Sequence, residues 1–228
     1  MMRYSVIEKK FPREILLLKA TPCKWGKCSF CDYIHDNSMD INYINEVNLQ
    51  ALEQVTGEYG VLEIINSGNV FELPKETLEA IKKKVEELDI KKLFLEAHWI
   101  YRSRLQEMRD FFGVDIIYKT GLETFNESFR EDVLKKGFNY KSLEELRGYF
   151  DSVCLMVGIK GQTKEMIKND IKLALETFDH FTVNVYTENT TDIKPDKELR
   201  DWFQDEYRWL EQEKKCEVLW VNTDFGVG

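Results

Sequence analysis

A chain of 228 residues is long enough for one large or two small domains with a full apolar core, so it needs no disulfide staples. With 43% hydrophobic and 32% charged residues it is neither disordered nor membranous in composition, and no apolar run approaches the ~20 residues of a spanning helix. A net charge of -9 opposes phosphate-rich partners. Neither nucleic acid nor a membrane is therefore an expected partner, whereas a small pocket ligand is compatible. The amino terminus shows no basic region, apolar stretch and small-residue cleavage site in succession, so a cytoplasmic protein is expected.

Short apolar runs of β type alternate with longer segments of helical period, the pattern of a parallel sheet with crossover helices. The first strand is expected over residues 14–20 and the second over 61–66. Behind Pro74, a residue suited to a first helical turn, Leu78, Ile81, Val85 and Leu88 recur at spacings of three and four and predict a helix. Strands follow at 92–97 and 115–119. Asn126 reads as the N-cap of a helix that runs through Phe129, Val133 and Leu134 and stops at Gly137. Ser142 and Glu145 read as a capping box for the next. After a strand at 153–157, Thr163 opens a helix with Ile167, Ile171, Ala174 and Phe178 on one face. A strand at 181–186, then a helix and a last strand at 217–221, complete the series. No linker or repeat interrupts it, so residues 1–228 are expected to form one domain, with a core at 14–187 and residues 194–228 capping it. Six successive βα units favour a partial or full barrel over a doubly wound sheet, with ligands at the carboxyl ends of the strands.

The segment after the first strand, Thr21-Pro22-Cys23-Lys24-Trp25-Gly26-Lys27-Cys28-Ser29-Phe30-Cys31, is a C-x4-C-x2-C array. Clustered thiolates on one loop select zinc or iron-sulfur. Three readings follow: a 4Fe-4S cluster on Cys23, Cys28 and Cys31 with one iron open; a plant-type 2Fe-2S cluster completed by Cys154 or Cys216; and a Cys3His zinc site completed by His35. Cys154 falls on a predicted buried strand and Cys216 near the end of the sequence, where each reads as a small core hydrophobe.

With its array on the loop after strand one, the sequence resembles the radical S-adenosylmethionine (SAM) superfamily, whose usual spacing is C-x3-C-x2-C. The resemblance implies an α/β fold, a partial (β/α)6 TIM-like barrel of the radical SAM type, with a 4Fe-4S cluster and S-adenosyl-L-methionine as cofactors. Phe30, just before the third cysteine, is then the aromatic beside the adenine. Asn66-Ser67-Gly68-Asn69 stands where the family binds the methionine ammonium, with Gly68 giving positive φ and close approach. The usual acidic residue is absent there, and Asn69 accepts in its place. Gly121-Leu122-Glu123 is similar to the ribose-binding motif, with Glu123 accepting from the diol, and Lys135, twelve residues on, pairs with the methionine carboxylate. Gly158-Ile159-Lys160-Gly161-Gln162-Thr163 is similar to the family's turn at the adenine, with Gly161 at its centre.

The implied mechanism is reductive cleavage of SAM to a 5′-deoxyadenosyl radical that abstracts a substrate hydrogen, with a flavodoxin or ferredoxin as electron donor. Substrate contacts are expected at strand ends: Glu96 and His98, which are also the candidate catalytic residues, Asn184, Glu188 and Asn189, and Asp224 in the terminal Asn-Thr-Asp-Phe-Gly segment. An acidic mouth suits a donor-rich, guanine-like edge. Within the superfamily the length, the array and the terminus resemble the queuine lyases, which break a C-N bond in the substituent of the deazapurine base queuine and release 7-aminomethyl-7-deazaguanine. Alternatives implied by the same superfamily are action on another small molecule or activation of a partner protein.

Overall fold

The computed structural model describes residues 2–221. The described residues divide into two units, one made of residues 2–26 and 33–118 and the other of 27–32 and 119–221. The expected residue 224 contact lies outside the described residues.

In the first unit the strands β1 (Tyr4–Ile7), β2 (Arg13–Leu18), β3 (Val61–Asn66) and β4 (Lys92–Glu96) lie side by side in sequence order. β1 runs antiparallel to β2, with Tyr4 opposite Leu16, and the other pairs are parallel. β2 is buried throughout, which a strand covered on both faces requires. Its first residue, Arg13, puts Nε 2.6 Å from Glu63 on β3, both side chains almost wholly out of solvent. The helix α2 (Lys75–Glu87) forms as the periodicity predicts and buries Thr77, Ile81 and Val85; Pro74 takes the N-cap position rather than the first turn. Two helices escaped the sequence reading, α1 (Ile41–Leu52) and α3 (Leu105–Phe112). α1 hides its stripe because two inward positions are asparagines. Asn48 accepts from Lys19 N–H at 2.7 Å and donates to Lys19 O at 2.8 Å, so it stands in for a strand neighbour at the exit of β2.

In the second unit β5 (Asp115–Glu123, beginning in the first), β6 (Ser152–Val157), β7 (His180–Val185) and β8 (Cys216–Leu219) are parallel neighbours in order. β8 joins the sheet beside β7, with Cys216 opposite Phe181. The helices are α4 (Leu143–Tyr149), α5 (Lys164–Thr177) and α6 (Lys197–Tyr207). Thr163 caps α5 by accepting from Met166 N–H, as expected, and Ser142 caps α4 by accepting from Glu145 N–H, while the Glu145 carboxylate takes Lys141 N–H at 2.7 Å where a capping box would take that of Ser142. The segment after Asn126 is a short π turn, Phe129–Val133, rather than an ordinary helix. At the start of the strands Ser152 Oγ lies 2.6 Å from His180 Nδ1, and His180 Nε2 lies 2.8 Å from Glu217 Oε2. This series of three side chains pins β6, β7 and β8 together; Ser152 is fully buried, so it is no nucleophile for an outside substrate. Among the described residues no helix is long and apolar enough to cross a membrane.

Candidate functional site

In the first unit the backbone leaves β2 through Lys19 and Ala20 and turns into the cysteine loop. Ala20 N–H donates to Ser67 Oγ at 2.9 Å and Ser67 N–H to Leu18 O at 3.1 Å, so the exits of β2 and β3 are stitched to each other. Ser67 is thus a buried strut. Past the loop, Asp36 receives Arg3 at 2.6 Å and Lys19 at 2.8 Å. Burial would raise its carboxyl, but the two cations hold it below the ordinary carboxylate range.

The turn after β3 carries a residue that the motif reading missed. Glu72 folds back so that Oε2 accepts from Asn69 N–H while Oε1 accepts from Lys24 N–H at 2.9 Å and from Tyr101 OH at 2.7 Å. Its own carbonyl accepts from Thr21 N–H and Oγ1. An acidic residue thus stands three residues beyond Asn69, with its carboxylate taken up by three donors of the protein itself. Gly68 serves by its missing side chain and not by positive φ: a Cβ there would lie 2.9 Å from Glu72 Oε2. Asn69 is half committed, for Oδ1 accepts from His98 N–H and Nδ2 points at Cys23 Sγ, 3.5 Å away. His98 caps the turn after β4, its Nδ1 accepting from Ile100 N–H at 3.3 Å, and its ring stacks on Trp25 with centroids 5.3 Å apart. Glu96 is half-buried at the end of β4. Asn66 Oδ1 is buried with no hydrogen-bond partner, an acceptor awaiting a donor.

In the second unit Phe30 is buried in a cluster with Phe129, Leu134, Met156, Ile159 and Tyr186, and Cys28 packs against it. Ser29 ties this stretch to the end of the π turn, donating N–H to Leu134 O at 3.1 Å and Oγ to Val133 O at 2.6 Å. Asn189 holds Phe30 O through Nδ2 at 2.8 Å, while its Oδ1 accepts from Thr191 N–H and Oγ1 and from Tyr186 OH. Both polar atoms of the Asn189 amide are thereby engaged by the protein, so its observed work is to clamp the cysteine loop. Glu188 is exposed and pairs with Lys194 at 3.0 Å.

Glu123 sits where β5 breaks register, a bulge between Gly121 and Glu123 opposite β6. Its φ of 68° is left-handed, a strained state for a residue with a side chain. The kink turns the carboxylate back over Gly121, where a Cβ would lie 2.5 Å from Oε1. The cation that meets it is Lys136, buried, with Nζ 3.1 Å from Oε1 and 5.3 Å from the centre of the Phe30 ring. Lys135, chosen by spacing, is exposed at φ 58°, because the backbone reverses there and turns the next residue inward. Burial alone would lower Lys136, yet Cys28, Glu123 and Cys31 around it raise its pKa and keep it charged. Burial raises Glu123 against the pull of Lys136.

The turn after β6 is built as expected of a close-approach loop, with Gly158 at φ 84° and Gly161 at φ 97°. Gln162 staples it, accepting from Ile159 N–H at 2.9 Å and donating to Met156 O at 2.8 Å. On β7, Asn184 is buried and its Oδ1 has no hydrogen-bond partner.

Among the described residues no three His, Cys, Asp or Glu side chains already stand as a closed metal group. The donor chemistry nevertheless fits an iron-sulfur cluster. Cys23, Cys28 and Cys31 form no disulfide and are partly exposed, Cys23 receives an amide N–H, and Lys136 supplies positive charge to the other two. Cys154 and Cys216 lie buried within β6 and β8, and His35 is exposed on a short 3-10 turn.

No family model matches the sequence. One curated relative, an uncharacterized protein of Methanocaldococcus jannaschii, is 30% identical over 146 residues, 56% of this chain. The matching stretch is 40% of that protein's length. Among solved structures, a queuine lyase from Clostridium spiroforme bound to SAM and queuine is 52% identical, covers 100% of this chain and 99% of its own, and superposes with a TM-score of 0.97. That likeness gives the fold as a partial TIM-like barrel of the radical SAM type, as the sequence implied. The chain belongs to the queuine lyase family of radical SAM enzymes.

Proposed function

We propose that this protein breaks the C-N bond in the substituent of queuine and releases 7-aminomethyl-7-deazaguanine, with a 4Fe-4S cluster and SAM as cofactors. The observation that carries this reading is the 52% identity, over the whole length, to a queuine lyase that holds SAM and queuine. When bound, the cluster and SAM supply a one-electron cleavage that makes a 5′-deoxyadenosyl radical able to take a hydrogen from the substrate.

Cys23, Cys28 and Cys31 would ligate the cluster. The methionine ammonium would find an acceptor in Asn66 Oδ1, in the turn with Ser67, Gly68 and Asn69. Glu123 would accept from the ribose hydroxyls, with Lys136 at 3.1 Å opposing the rise that burial imposes on its carboxyl, and Phe30 and Gly161 would border the adenine. Substrate contacts fall to Glu96, His98 and Asn184, whose buried Oδ1 suits an N–H of the deazapurine edge. Because His98 Nδ1 accepts from Ile100 N–H, the neutral ring carries its proton on Nε2, which would donate a hydrogen bond to the substrate. A flavodoxin or ferredoxin would deliver the electron, the net charge of -9 would disfavour nucleic acid as a partner, and five cysteines outside any disulfide suit the reducing cytoplasm.

The test is anaerobic reconstitution followed by SAM, a strong reductant and queuine, with 5′-deoxyadenosine and the aminomethyl deazaguanine measured by mass spectrometry. Both products together support the proposal. If 5′-deoxyadenosine forms equally without queuine and no base is released, the substrate assignment fails. Cys28→Ser is expected to abolish cluster uptake, and a normal iron content would refute the array as ligand set. Cys154→Ser should keep the visible iron-sulfur absorbance; its loss would revive the ferredoxin reading.

A further inference from the structure

We infer that Asn69 is a positioning residue for the cysteine array: its side-chain amide donates a hydrogen bond to Cys23 Sγ and sets the properties of whatever the three thiolates hold. The orientation of the amide follows from its partners. Oδ1 lies against the backbone N–H of His98, a group that can only donate, so the other arm must be the NH2, and that arm is the one 3.5 Å from the sulfur. A flipped amide would face one donor with another and leave the thiolate beside an oxygen.

The rest of the network holds this contact. Asn69 is fixed through its backbone, N–H to Glu72 and carbonyl receiving Asn66 Nδ2 at 2.9 Å. Cys23 is fixed on both sides by the same glutamate, with Thr21 on the Glu72 carbonyl and Lys24 N–H on its carboxylate. The buried Tyr101 hydroxyl, 2.7 Å from Glu72, supplies the carboxylate with a further donor. A carboxylate with three donors has no freedom to swing, so Glu72 holds the amide and the thiolate at a set separation. Cys23 is in this way distinguished from Cys28 and Cys31, whose positive neighbour is Lys136.

Resting on the cluster assigned above, the consequence is electrochemical. A hydrogen bond to a ligand sulfur stabilises the more negative, reduced state and raises the midpoint potential. Asn69→Asp keeps an oxygen for His98 N–H and replaces the donor by an anion, while Asn69→Ala removes the amide alone. Both are expected to take up the cluster and to show a lower midpoint potential in a titration followed by electron paramagnetic resonance. The expected fall is about tenfold in the reduction equilibrium, ~59 mV for one electron, with Asn69→Asp the larger. Tyr101→Phe removes one of the three donors on Glu72 and keeps the amide itself, so it should change the potential less than either Asn69 variant. Iron lost from a folded Asn69→Ala, but kept by Tyr101→Phe, would equally place Asn69 at its ligand. Full iron with an unchanged potential in both Asn69 variants overturns the inference. A parent protein that binds no iron or sulfide refutes the cluster assignment instead, and the two failures are distinct.

Discussion

Lys136→Met is expected to destabilise the protein by about 3–5 kcal/mol and to weaken SAM binding sharply while leaving the three cysteines untouched. The lysine and Glu123 form a 3.1 Å pair that water barely reaches, and Lys136 also faces Cys28, Cys31 and the Phe30 ring. Without it the carboxyl group, already raised by burial, loses the cation that opposes that rise and goes neutral. A neutral carboxylic acid still accepts hydrogen bonds, but it no longer offers two anionic oxygens to a diol. The double variant E123Q/K136M separates stability from binding. Removing both charges at once spares the fold an unpaired buried ion, so denaturant titration should show most of the lost stability regained. Calorimetry with SAM should show the affinity still low. A single variant as stable as the parent would mean that the pair is open to water, and recovery of SAM affinity in the double variant would take Glu123 away from the ribose.

The parts of the molecule that follow local rules were legible in the residues. β2 to β8 lie within a few residues of the apolar runs that predicted them, because most of their positions are buried and so read as near-continuous Leu, Ile and Val. β1 was not seen, since Tyr4–Ile7 is only half-buried and carries no such run. α1 was lost to Asn45 and Asn48, buried polar side chains that interrupt the apolar period while bonding Thr77 and Lys19. In the site, the cysteines, Glu123 and the Gly158–Gly161 turn announced themselves through spacing and glycine. Glu72 and Lys136 did not, because the first reaches back by three residues and the second is turned inward by the left-handed Lys135; neither geometry is written in a linear motif. A signal for Lys136 was present all the same. Of two adjacent lysines before a helix-ending glycine, one had to face the protein, and Phe30, Phe138 and Glu123 make a cation welcome there.

Asp170→Asn should make the protein more stable at alkaline pH and nearly neutral in effect at acid pH. Asp170, on α5, accepts from Phe125 N–H at 2.7 Å just past Glu123, while its other oxygen is buried with no hydrogen-bond partner. Burial pushes its pKa from 3.8 to about 7, against the lowering effect of Thr124, Phe125 and Arg130. The native state therefore holds a proton that the unfolded state gives up near pH 4, so native stability declines as pH rises from about 4 to 7 and is flat above. From pH 5 to 8 the stability gap between the Asp170→Asn variant and the parent should widen by roughly 3 kcal/mol in urea titrations, following about 1.36 kcal/mol per pKa unit. Parallel curves would show that Asp170 is ionised throughout. A carboxyl group that weakens the fold at neutral pH has a reason to be there only if its position matters, and its position is the N–H of the second residue after Glu123. The strained φ of Glu123 is held from that side by Asp170 and from the other by the Gly121 bulge. At pH 8, where Asp170 is charged and its bond to Phe125 strongest, SAM affinity should accordingly be highest in the parent, and Asp170→Asn should flatten that dependence.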